Sequence, residues 1–79
     1  MLFLIEYDRD RGSIVTIKPF NDSNGERAED SRLELELELS VKGINNEVVL
    51  LEAPNEEALR RTHRRYFEDL AELSTSPAQ

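Results

Sequence analysis

Residues 31–43 read SRLELELELSVKG, and how they fold decides the architecture of the chain. Leucine and glutamate alternate from Leu33 to Leu39. Strict alternation is the period of a strand with one buried face. Leucine and glutamate are also both strong helix formers. Read as a strand, the run puts Leu33, Leu35, Leu37, Leu39 and Val41 on one face, and the chain becomes a four-stranded antiparallel meander with one C-terminal helix. That reading leaves NDSNGERAEDS, residues 21–31, as a long loop without structure.

The helix reading uses that segment. Ser23-Asn24-Gly25-Glu26 has the spacing of a capping box, with Ser23 as N-cap and Glu26 reaching back. Gly43 stands where a left-handed residue ends a helix, and Ile44 then meets Leu39 as in a Schellman motif. Start and stop signals in register outweigh a short alternating run. The spacing predicts a helix over residues 24–42 and positive φ at Gly43.

That helix carries two apolar stripes. At about 100° per residue, Ala28, Leu35 and Leu39 share one side, and Leu33, Leu37 and Val41 lie roughly opposite. One stripe can pack on the chain's own sheet. The other needs a cover, and a second copy of the chain related by a two-fold axis is the simplest one. Leu33, Leu37 and Val41 are therefore the candidate interface residues.

The flanks are clearer. LFLIEY (2–7) and SIVTIKP (13–19) are rich in β-branched, aromatic and apolar residues, and the polar turn between them ends in Gly12, so the two form a hairpin. Pro19, which has no N–H to donate, closes the second strand. Val48–Leu51 is apolar on both faces, as in a strand at the middle of a sheet or covered on both sides. Asn55 is a good N-cap, followed by Glu56 and Glu57 at the positive helix end. From there Leu59, Thr62, His63, Tyr66, Leu70 and Leu73 line one side of a helix predicted over about 55–73. The expected fold is α+β, in the order ββαβα. Residues 1–73 make one domain, and 74–79 a disordered tail.

Composition narrows the functional classes. A chain of 79 residues has one small core. It has no cysteine, which excludes disulfides and thiolate chemistry and favours a reducing, cytoplasmic setting. No apolar run is long enough for a signal peptide or a membrane span. The net charge is −7, the wrong sign for a general nucleic-acid binder.

The chemistry-bearing residues have ordinary explanations. Arg60, Arg61, Arg64 and Arg65 could clamp an anion, but Glu56, Glu57 and Glu68 stand four residues from three of them, the spacing of helix salt bridges. His63 is expected to be a core residue of the helix face. Glu34, Glu36 and Glu38, and the Asp8–Asp10–Gly12 turn, lack the ligand pattern of a calcium loop. No catalytic, metal or cofactor motif is present. The residues therefore point to a non-enzymatic cytoplasmic module that binds protein, most simply a homodimer. A regulator using the arginine helix on nucleic acid or a phosphate ligand is the alternative.

Overall fold

In the computed structural model, the described residues are 1–67. Strand β1 (Leu2–Asp8) turns into β2 (Ser13–Phe20), followed by helix α1 (Gly25–Lys42), strand β3 (Glu47–Glu52) and helix α2 (Glu56–Thr62). The sheet is antiparallel with order β2-β1-β3. Leucines 33–39 thus lie in a helix, and the chain is α+β.

The hairpin turn is built by its own side chain. Asp8 Oδ1 accepts the N–H groups of Asp10 (3.0 Å) and Arg11 (3.1 Å). Gly12, at φ 68°, donates to the Asp8 carbonyl (2.8 Å). The register skips between Glu6↔Thr16 and Tyr7↔Ile14, so Val15 is an extra, bulged residue. Strand β2 continues one residue past Pro19, to Phe20. An edge strand tolerates proline where the missing N–H would face solvent.

Helix α1 ends as expected. Gly43 sits at φ 72°, its N–H donates to Ser40 O (3.1 Å), and the Ile44 N–H donates to Leu39 O (2.9 Å). Both Schellman bonds are present. The start differs from expectation. A 3-10 turn over Asp22–Asn24 leads into the helix, and neither Ser23 nor Asn24 caps it through a side chain. The tight turn bonds the Asn24 N–H to Asn21 O (2.9 Å), and the chain enters α1 through this turn in place of a side-chain cap. A Cβ at Gly43 would meet nothing within 4 Å. Gly43→Ala should therefore cost only the left-handed backbone penalty of a non-glycine residue, about 1–2 kcal/mol, in urea unfolding. No loss would mean that the αL cap does not hold.

The two faces of β1 make two cores. Phe3, Ile5 and Tyr7 pack with Ala53, Leu59 and Tyr66, beneath α2 and the segment after it. Leu4 packs with Phe20 and Ala28, beneath α1. Glu6 is also buried on the α1 side, where its Oε2 accepts from Asn46 Nδ2 (2.8 Å). The central strand is therefore β1, and β3 is an edge. The apolar run 48–51 reflects cover on both faces: Val48 and Leu50 pack in the core under α1, Val49 and Leu51 in the core under α2.

The C-terminal helix is shorter than its periodicity predicts. Asn55 Oδ1 caps it by accepting the Ala58 N–H (2.8 Å), as expected. It ends at Thr62, His63 leaves helical geometry (φ −122°, ψ 51°), and Arg64–Tyr66 form a 3-10 turn. Leu70, Leu73 and the expected tail lie outside the described residues.

Candidate interaction surface

Helix α1 presents its second stripe to solvent. Leu39 and Ala28 are buried and Leu35 is half-buried, whereas Leu33, Leu37 and Val41 are 55%, 67% and 79% exposed. Ile44, just past the cap, is 44% exposed and adds to the large apolar side chains at this end of α1. Single exposed leucines are ordinary, but a contiguous row on one helix face is a feature of interaction sites.

The charged residues of α1 are mostly tied to one another. Arg32 bridges Glu29 (2.8 Å) and Glu36 (3.0 Å), and Lys42 pairs with Glu38 (2.9 Å). Glu34 and Glu38, one helical turn apart, line the same hollow beside β1, and Glu36 stands away from them. Among the described residues, no group of three or more potential ligands is placed to hold a metal ion. The Asp8 carboxylate is occupied by its own turn.

The four arginines of the C-terminal segment are separated by the break at His63. Arg60 and Arg61 pair with Glu56 (3.4 Å) and Glu57 (2.9 Å), one turn earlier. The Arg60 guanidinium also stacks on Phe67, at 4.6 Å from the ring centre. Arg65 turns towards the sheet and meets Glu47 (3.2 Å). Because α2 ends at Thr62, Arg64 and Arg65 are no longer one helical turn above Arg60 and Arg61. Glu68, the expected partner of Arg64, lies outside the described residues. His63 is half-buried at the end of α2, not in the core as expected. Its backbone N–H donates to Leu59 O (2.9 Å).

A polar cluster that the sequence does not announce lies where the segment after α2 meets the sheet. Tyr66 Oη donates to Glu47 Oε2 (2.5 Å), and Arg65 and Arg9 approach Glu47 Oε1 at 3.2 and 3.3 Å. The Tyr66 ring stands edge-on to Tyr7, with centroids 5.2 Å apart, and Arg65 lies over it. The Tyr66 hydrogen bond, reinforced by Arg9 and Arg65, holds the Glu47 carboxyl below its ordinary pKa. Burial first, and then the Glu47 carboxylate, push the Tyr66 phenol above its ordinary value. An acid made stronger beside a phenol made weaker suits a fixed ionic contact and opposes proton exchange near neutral pH. The cluster joins residues 19 and 38 positions apart, so no local spacing reveals it.

Comparison with family models, curated proteins and solved structures finds no match to this chain. Among the described residues, no helix is long and apolar enough to cross a membrane.

Proposed function

We propose that the chain is a non-enzymatic protein-interaction module that self-associates through the outer face of α1. The observation that carries this reading is the exposed row Leu33, Leu37 and Val41, at one-turn spacing on a helix whose other stripe already serves the core. Three large aliphatic side chains in a row leave a few hundred Å² of apolar surface in water. A two-fold axis through the face lets each copy cover the same patch on the other. The Glu47–Tyr66 cluster, the most connected polar site among the described residues, has the electrostatics of a clamp and supports a structural role.

The test is one substitution. Leu37→Glu should give a folded monomer, with half the wild-type mass in sedimentation equilibrium and an unchanged circular dichroism spectrum. A wild type that is monomeric at micromolar concentrations would remove self-association. A dimer that Leu37→Glu leaves intact would place the interface elsewhere.

A further inference from the structure

The sheet has two edges, and they are built differently. Edge strand β2 carries Lys18, Pro19 and the bulge at Val15, all devices that discourage another strand from adding. Edge strand β3 carries none of these. It is EVVLLE, paired without a break against β1 from Tyr7↔Glu47 to Leu2↔Glu52. No other described strand pairs with its far side, which leaves a row of backbone donors and acceptors open. Between that edge and α1 the surface opens into two hollows, one beside Glu36, Ile44 and Val48, the other beside Glu26, Asp30, Leu50 and Glu52.

We propose that β3 accepts an extended, basic peptide segment of another protein as a fourth strand, seated between the β3 edge and α1. Backbone pairing at a sheet edge supplies affinity, and the side chains that flank the groove select the sequence. Glu26, Asp30 and Glu52 line this groove and make no ion pair among the described residues. A second copy of β3 would bring Glu47, Glu52 and these carboxylates against their own kind, in a chain already at net charge −7. A segment alternating lysine or arginine with aliphatic residues fits both the pleat and the charge. This site is separate from the outer face of α1.

The probe is a short, end-capped peptide of alternating lysine and valine, added to the isotope-labelled full chain. The controls are the same peptide with its valines replaced by proline, which cannot pair along its length, and an alternating glutamate–valine peptide. Amide shifts should concentrate in residues 47–52, and β3 amides that exchange quickly in the free protein should become protected. Asp30→Lys combined with Glu52→Lys should weaken binding about tenfold or more, on the scale of one tenfold step per 1.4 kcal/mol. Added salt should weaken it further. Leu37→Glu should leave it unchanged, which separates this site from the self-association face. Equal binding of the proline control, shifts centred away from β3, or no binding of the lysine–valine peptide would overturn the proposal. So would β3 protection that rises with protein concentration in the absence of peptide, since that would identify a second copy as the occupant.

Discussion

Leu59→Ala is expected to bring the domain close to global unfolding. Leu59 is 0% exposed and stands in the cluster of Phe3, Ile5, Tyr7, Ala53 and Tyr66. It is the one fully buried anchor of α2, a helix of 7 residues that is too short to be stable without tertiary contacts. Truncating a buried leucine typically costs about 2–5 kcal/mol, from lost transfer energy and the cavity left behind. A domain of this size holds on the order of 4–12 kcal/mol in total. Leu37→Ala removes the same atoms from a position 67% exposed. In dilute, monomeric protein it should change stability by about 0.5 kcal/mol or less. Urea unfolding of the two variants checks the pair, and equal losses would mean that the buried and exposed leucines have been interchanged.

The second large effect is expected at Glu47. Replacing it with glutamine keeps an acceptor near Tyr66 but removes the charge that Arg9 and Arg65 face. Hydrogen bonds to charged groups contribute about 1.5–3 kcal/mol each, so Glu47→Gln should cost an amount of that order at neutral pH. The loss should depend on pH. Because the folded state lowers the Glu47 pKa, its contribution is complete above the unfolded value, about 4.3, and disappears as pH falls through the folded value. Because the folded state raises the Tyr66 pKa, its contribution is complete below about 10 and disappears at higher pH. The difference in stability between wild type and Glu47→Gln should therefore be greatest between roughly pH 5 and 10, and should shrink on the acid side. Denaturant midpoints from pH 3 to neutrality test this. A difference constant across that range would show that the carboxylate charge contributes nothing.

How much of the interaction face was legible follows from helix geometry. Once residues 25–42 are a helix, Leu33, Leu37 and Val41 must stand opposite Leu35 and Leu39, because 3.6 residues per turn allows nothing else. The open β3 edge was less legible. An apolar run such as VVLL reads the same in a central strand and in an edge strand covered on both faces. Only the pairing of β3 with β1, remote in the chain, reveals a free side. The Glu47–Tyr66 clamp left no trace in local pattern, since its members come from the hairpin turn, an edge strand and the segment after α2.

Local chemistry by itself determined the elements whose signals lie within a few residues. Gly43 stops α1 because only a residue without a Cβ takes φ near 72° cheaply. Asn55 starts α2 because its carboxamide reaches the Ala58 N–H, and Gly12 closes the hairpin. Tertiary structure decided the rest. A 3-10 turn leads into α1 where the local pattern offered a side-chain capping box. The helical periodicity of 55–73 is interrupted at His63, and the break delivers Tyr66 to Tyr7 and Glu47 and Arg65 to the same carboxylate. Periodicity records which side chains can share a face. Where the chain must leave that face to satisfy a buried phenol and an ionic contact, the decision rests with partners far away in sequence.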